Sequence, residues 1–299
     1  CFFYKFMKYL FFLLVSEKNT IFARNFVFLQ TMLNISIVLY HPEWQQVAEL
    51  TQVFLQSKKV EHIYWIDNSP VVENNLPIQS TKISYSHNAR NIGYGAAHNI
   101  AIRESIYDDV LYHLVINPDI ILTKETLETM LNFMHHHPQV GSLMPKVIYP
   151  NGELQPLCKL LPTPIDVFGR RFLPKKWMAQ RNQMYEMHAS GYDKLMNVPY
   201  LSGCCMLLRT KAVEQARLFD ERFFMYPEDV DLTRRIHRNY LTVFFPHVTI
   251  IHNHERASYK SFKMLWIHAV NMCKYFNKWG WFCDKERQLF NQTAINEYL

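Results

Sequence analysis

The chain has 299 residues, about twice a common domain of roughly 150, so it holds one large domain with attachments or two small ones. With 49% hydrophobic, 15% aromatic and 19% charged residues, and only 8 Gly and 14 Pro, it is neither disordered, collagen-like nor low in complexity. The net charge of +6 is unevenly placed: residues 1–31 carry four Lys/Arg against one acid (+3), residues 32–255 carry 21 against 22 (−1), and residues 256–299 carry seven against three (+4). A nucleic-acid binder would carry its charge on the folded body, so no nucleic-acid partner is expected, and a near-neutral body with basic, aromatic ends fits a membrane-surface enzyme better. Six cysteines (Cys1, Cys158, Cys204, Cys205, Cys273, Cys283) include no C-x-x-C pair, which argues against a disulfide framework or a zinc knuckle and for a reducing compartment.

The longest apolar stretch, Tyr9 to Val15, follows Lys5 and Lys8 and is far short of the roughly 20 residues that cross a bilayer. The chain begins at Cys1, and strand-like sequence starts immediately after Met32. Residues 1–31 therefore read either as sequence upstream of a start at Met32 or as an arm that dips into a membrane. Ile35 to Tyr40 (ISIVLY) reads as a buried strand, and Pro42 opens a helix reaching about Ser57 through Val47, Leu50, Val53 and Phe54. Further strands are expected at Val60–Ile66, Lys82–Tyr85 and Val110–Ile116, and helices at Ala96–Tyr107 and Lys124–His136. Strands alternating with helices predict βαβ crossovers and a mostly parallel sheet, whose ligands bind beyond the carboxyl ends of the strands. Asp67-Asn68-Ser69 and Asn117-Pro118-Asp119 fall at such ends. His135-His136-His137 reads as a solvated helix terminus.

There is no phosphate-binding G-x-x-x-x-G-K-[ST] loop, and Gly93-Tyr94-Gly95 supplies only two of the three glycines of a dinucleotide fingerprint. The two glycines of NIGYGAAHN still allow backbone to approach a ligand at a helix start, where free amides favour anions; the alternative is an ordinary loop and cap. FDERFFMYPEDVDL sets Glu228, Asp229 and Asp231 at the opening of a helix, where acids commonly serve as caps or dipole partners. The aromatic residues before them favour desolvation of one carboxylate, which raises its pKa toward that of a general base.

From about Leu33 to Ser258 the chain resembles the family 2 glycosyltransferases of the GT-A fold, especially their bacterial rhamnosyltransferase-like members. The resemblance rests on the order and spacing of ISIVLYHP, the Asp67-Asn68-Ser69 strand end, NIGYGAAHN, INPD, LSGCCMLLR, FDERFFMYPEDVDLTRR and IIHNHERAS. It implies a mostly parallel, Rossmann-like α/β sheet flanked by helices and followed by a C-terminal helical extension. It also implies an inverting transferase that moves one sugar from a nucleotide sugar (dTDP-rhamnose, with UDP-sugars behind it) to a glycan or lipid-linked saccharide during synthesis of a surface polysaccharide such as a capsule or O-antigen.

The same resemblance makes Asp119 the metal carboxylate for Mg²⁺ or Mn²⁺, with Asn117 where the family often has a first aspartate. His252, or its competitor His254, approaches the metal or diphosphate. Tyr40, Asp67, Arg90, Gly95 and Asn99 line the nucleotide, Asp229 is the base with Glu228 as runner-up, and Asp231 caps or orients the helix. Residues 150–200, rich in Pro and basic at Arg170, Arg171, Lys175 and Lys176, read as an acceptor-side insertion. Residues 259–299 read as a basic aromatic helical segment that lies on a membrane, packs on the domain or pairs two subunits. Such an enzyme works in the cytoplasm, at the inner face of the plasma membrane. The competing functions are a catalytically inactive sugar-nucleotide-binding subunit and a nucleotidyltransferase; the latter lacks a glycine-rich basic loop after its first strand.

Overall fold

A computed structural model describes residues 32–170, 173–253 and 262–299. Residues 1–31, Arg171 and His254, about which the sequence raises expectations, lie outside the described residues.

The elements follow in chain order. β1 is Leu33–Leu39, α1 Trp44–Leu55, β2 Val60–Asp67, β3 Ile83–His87, α2 Tyr94–Tyr107, β4 Tyr112–Ile116, β5 Ile120–Ile121, α3 Lys124–His136 and β6 Val140–Ile148. Then come β7 Cys158–Lys159, a π-turn Ile165–Gly169, α4 Lys175–Tyr185, β8 Met196–Asn197, β9 Tyr200–Leu201, β10 Cys205–Arg209, α5 Thr210–Gln215, α6 Glu228–His237, β11 Leu241–His252, α7 Phe262–Trp279 and α8 Lys285–Tyr298. The main sheet runs β3-β2-β1-β4-β10-β6-β11-β5, with β8 paired to β11. β3, β2, β1 and β4 are mutually parallel, as are β6 and β11, while β10 enters antiparallel between β4 and β6.

Alternation along each strand divides the core between two faces. Ile35 and Ile37 of β1, Leu114 and Ile116 of β4 and Leu207 of β10 pack with Phe54 of α1 and Leu127 and Leu131 of α3. Val115, Met206 and Leu208 instead meet Ile102 of α2, Val213 of α5 and Leu232 and Ile236 of α6. Both faces are therefore buried, which is why the strands read as nearly continuous apolar runs. Thr123 caps α3 by accepting from the Thr126 amide at 3.2 Å, and Leu127, Met130, Leu131 and Met134 form its inward stripe.

The described residues of the 150–200 segment are built into the fold. Cys158, Leu160, Tyr185, Met187, Tyr192 and Met196 join Met144 of β6 and Phe244 of β11 in a third cluster. The C-terminal helices are equally integral: Met272, Tyr275 and Phe276 of α7 are buried with Phe223 and Val230 of α6's approach and first turn. A buried ion network reinforces them. Arg234 of α6 grips both oxygens of Asp284 at 2.6 and 2.7 Å and bonds Glu286 at 2.6 Å, while Asp231 accepts from Trp279 Nε1 at 2.8 Å and Lys278 at 2.6 Å. No described helix is long and apolar enough to cross a membrane.

Candidate active site

The carboxyl ends of β1, β2 and β4 collect Tyr40, Asp67 and Asn117 at one edge of the sheet. Tyr40 is 54% exposed, so its ring is not a core residue; its edge contact is with His41 at a centroid distance of 4.5 Å. Asp67 is buried, with one carboxylate oxygen accepting from the Ser69 amide at 2.8 Å and the other from the Tyr85 hydroxyl at 2.7 Å.

Gly93 joins this edge to the acidic helix. Its φ of +95° is a conformation open mainly to glycine, and a Cβ there would lie 2.6 Å from the Phe224 carbonyl oxygen. The next amide, Tyr94 N–H, donates to that carbonyl at 3.0 Å. The Tyr94 hydroxyl lies within hydrogen-bond reach of Asn117 Oδ1 (2.9 Å) and the Gly203 carbonyl (2.8 Å). One tyrosine thus ties NIGYGAAHN, INPD and LSGCC together, three segments distant in sequence.

Glu228 and Asp229 open α6 and are both buried. Asp229 accepts from Gly203 N–H at 2.9 Å and from its neighbour's Val230 N–H at 2.7 Å. A Cβ on Gly203 would lie 3.2 Å from Asp229 Cβ, so the glycine permits that close approach. Burial raises the Asp229 pKa to about 6 despite these amides and the positive charge of Lys159, which oppose the shift. Glu228 is also pushed well up, by burial and then by the charge of Asp229, and its Oε2 has no hydrogen-bond partner among the described residues. Two adjacent buried acids cannot both ionise cheaply, and the amides favour Asp229 as the charged one. Two positions before Glu228, across Pro227, Tyr226 holds φ at +91°, a strained conformation for a non-glycine residue.

Asp119 and His252 meet through a short antiparallel ladder in which Ile120 pairs with His252 and Ile121 with Ile251. His252 Nε2 lies 3.4 Å from Asp119 Oδ1. Gln155 orients the ring: its amide nitrogen donates to the His252 carbonyl at 2.9 Å, which turns its oxygen toward His252 Nδ1 at 3.0 Å. Nδ1 then donates to that oxygen, and Nε2 is turned to the Asp119 side. An imidazole nitrogen and a carboxylate oxygen are ligand types that suit Mn²⁺ or Mg²⁺, and no third His, Cys, Asp or Glu completes a cluster with them among the described residues. The charges of Asp119 and Asp229 both act on the buried Cys204 thiol, so the two acids flank the same turn into β10.

Three further residues expected at the nucleotide have the following surroundings. Gly95 and Asn99 share the face of α2 that packs on the loop after α5, because positions i and i+4 lie one above the other on a helix. A Cβ on Gly95 would lie 2.8 Å from Phe219 Cβ, and the Asn99 carboxamide is bound to the Phe219 backbone at 2.9 and 3.0 Å and to Glu221 at 3.0 Å. Arg90 is exposed and lines a groove along the Ala96, Ile100 and Arg103 face of α2. Sequence reading did not single out Tyr94, Gln155, Lys159, Tyr200 or Gly203. Tyr94 and Gly203 stand inside recognised motifs, whereas nothing local distinguishes Gln155.

Sheet order, helices on both faces and the polar edge define a GT-A fold, and a solved mannosyltransferase, PcManGT from Pyrobaculum calidifontis, shares it with a TM-score of 0.52 and 12% identity over 81% of this chain and 64% of that one. The profile described as Glycosyl transferase family 2 matches residues 37–217, and the chain belongs to that family. It is 31% identical over 180 residues to the N-acetylglucosaminyl-diphospho-decaprenol L-rhamnosyltransferase of Mycobacterium tuberculosis, a match covering 54% of this chain and 56% of the relative. Against the low-salt glycan biosynthesis hexosyltransferase Agl10 of Haloferax volcanii it is 25% identical over 219 residues, 72% of this chain and 65% of that protein. The chain thus spans little more than half the length of the mycobacterial relative.

Proposed function

We propose that the protein is an inverting glycosyltransferase that moves one sugar, rhamnose-like, from a dTDP- or UDP-sugar to a glycan or lipid-linked saccharide during surface-polysaccharide synthesis. The observation that carries this reading is the buried Asp229 carboxylate, fixed by the Gly203 and Val230 amides and raised toward the pKa of a base. In the reaction Asp229 takes the proton of the acceptor hydroxyl as that oxygen bonds the anomeric carbon. The bond from that carbon to the nucleoside diphosphate breaks on the opposite face, with inversion. Glu228, kept neutral, leaves the negative charge on Asp229.

Asp119 and His252 are the residues that would hold Mg²⁺ or Mn²⁺. When bound, the cation supplies positive charge for the departing diphosphate. PcManGT is described in complex with GDP-Man and Mn²⁺, which supports a cation at this edge by fold analogy. Tyr40 and Asp67 receive the nucleoside, and Asn117 stands beside the diphosphate through its bond to Tyr94.

The polyprenyl diphosphate in the name of the mycobacterial relative supports an acceptor anchored to a lipid, reached from the cytoplasmic face of a membrane. Trp266 on α7 is 66% exposed, and Lys263 on the same helix would reach lipid headgroups. The catalytic unit spans residues 32–258, with residues 150–200 on its acceptor side and the helical segment 259–299 attached. The deciding experiment incubates the purified chain with a panel of nucleotide sugars and Mn²⁺ and follows release of nucleoside diphosphate. Selective turnover of one donor is expected, and inertness toward every donor with intact binding would favour the inactive sugar-nucleotide-binding subunit.

A further inference from the structure

The amide that holds Asp229 is itself held in place from α2. β9, paired with β7 as a two-residue antiparallel ribbon, runs into Ser202 and Gly203, whose N–H donates to Asp229 Oδ2 at 2.9 Å. The carbonyl of the same glycine faces the Tyr94 hydroxyl at 2.8 Å, and Asn117 Oδ1 faces that hydroxyl at 2.9 Å. Next in the turn, the Cys204 carbonyl accepts from the Asn117 N–H at 2.9 Å. Two links therefore join the end of β4, which leads to Asp119, to the turn that holds Asp229. One is backbone and continues the β4–β10 ladder; the other is the phenol of the first residue of α2.

Tyr94 also supports Asp229 from the other direction along the chain. Its own N–H donates at 3.0 Å to the carbonyl of Phe224, in the segment that leads through the strained Tyr226 into Glu228 and Asp229. The ring is fixed as well. His98, one helical turn on, meets it edge-on at a centroid distance of 4.3 Å, and His98 Nδ1 lies 2.6 Å from Ser36 Oγ of β1. A Cβ on Gly203 would lie 3.4 Å from Tyr94 Cε1, so the turn rests on the ring. Burial, and then the charges of Cys204, Glu228 and Asp229, raise the phenol pKa well above 10, so the hydroxyl keeps its proton. Two oxygens from segments distant in sequence converge on that one proton, and a shared buried donor fixes the separation of the groups that accept from it.

We propose that the Tyr94 hydroxyl is a positioning group for sugar transfer, locking the Gly203 turn that aims Asp229 to the strand end beside the donor's diphosphate. The inference rests on the reading of Asp229 as the base, and Tyr94 acts through Gly203 rather than on the substrates. β4 is clasped between β1 and β10, which keeps Asn117 in place without the hydroxyl, whereas Gly203 lies between β9 and β10. Loss of the hydroxyl therefore displaces the base more than the donor, and a displacement of about 1 Å is enough to slow a step on the order of 10²-fold.

The test uses Tyr94→Phe in the full chain, which keeps the ring against His98 and removes only the hydroxyl. Turnover is followed as nucleoside diphosphate release with Mn²⁺ from dTDP-rhamnose, or from the UDP-sugar that the unaltered chain prefers. kcat should fall by about 10- to 100-fold with the donor KM within about threefold. In an Asp229→Asn background the same substitution should cost less than about threefold, because the group it positions is already lost. Amide hydrogen exchange across Ser202–Met206 should quicken about tenfold or more in Tyr94→Phe, a readout that needs no turnover. Undiminished kcat, a raised KM at unchanged kcat, equal losses in both backgrounds, or unchanged exchange would each overturn the proposal. Near-normal turnover in Asp229→Asn alone removes the base reading and this inference with it, and is seen with Tyr94 intact; undiminished kcat in Tyr94→Phe removes the inference alone.

Discussion

His252 Nε2 is held 3.4 Å from Asp119 Oδ1 by a residue nearly a hundred positions away, for Gln155 fixes the ring from behind through Nδ1. A buried carboxamide that orients a histidine in this way governs ligand geometry without touching the ligand. Gln155→Leu should therefore weaken Mn²⁺ activation of sugar transfer by about 10- to 100-fold while leaving the protein folded. A metal titration of activity, alongside circular dichroism, checks this; an unchanged titration would remove the positioning role of Gln155.

Asp119→Ala removes the carboxylate itself. Loss of charge compensation at the leaving diphosphate costs several kcal/mol, so transfer should fall by about 10²-fold or more, and EDTA should abolish it in the unaltered protein. Full activity in excess chelator would exclude the cation.

Asp229→Asn keeps the shape and the Gly203 contact but not the proton acceptor. Turnover should fall by about 10² to 10⁴ with donor binding almost unchanged, whereas Glu228→Gln should be milder. The base acts only when ionised, so kcat/KM should rise with pH through about 6, the value to which burial lifts Asp229, and level off above it. Near-normal turnover in Asp229→Asn with collapse in Glu228→Gln would transfer the role to Glu228.

A buried polar chain beneath α2 predicts acid sensitivity. Asn34 donates to Ser105 Oγ at 3.1 Å, Ser105 Oγ lies 2.7 Å from His113 Nδ1, and Ser36 Oγ lies 2.7 Å from His113 Nε2 and 2.6 Å from His98 Nδ1. Burial lowers both imidazole pKa values below the ordinary 6.5, that of His113 to about 3. Below pH 6.5 the unfolded chain binds protons that the folded chain refuses. Stability is therefore full above that pH and falls as pH drops toward 3, by about 1.4 kcal/mol per pH unit for His113, with His98 adding a loss of the same sign. Urea unfolding at pH 7.5 and pH 5 checks this, and equal midpoints would refute it.

The Arg234–Asp284 pair, with side chains 1% and 3% exposed, anchors α8 to α6. Asp284→Asn leaves a buried guanidinium with less compensation, and about 3 kcal/mol of stability should be lost in denaturant titration. A cost below about 0.5 kcal/mol would place the helix's anchorage in Phe290, Ala294 and Ile295 instead.

What the sequence determined by itself is local. Apolar runs such as ISIVLY and the stripe of Leu127, Met130, Leu131 and Met134 announce their strand and helix because periodicity and β-branching act over a few residues. The motif order likewise carried the family, and it put Asp119, Asp229 and His252 among the candidate residues. Tertiary structure decided what each motif faces. Within NIGYGAAHN the turn of α2 carries Gly95 and Asn99 to Phe219, while Tyr94 reaches Asn117 and Gly203. Asp231 is expected to cap or orient the helix, and the structure shows what it holds: Trp279 and Lys278 of α7. Gln155 and Lys159 carry no local signal, because their partners His252, Glu186 and Asp229 come from distant segments that only sheet pairing and the β7–β9 ribbon bring together. Hydrogen bonds and charge interactions act over a few ångströms in space, and separation along the chain does not record that distance.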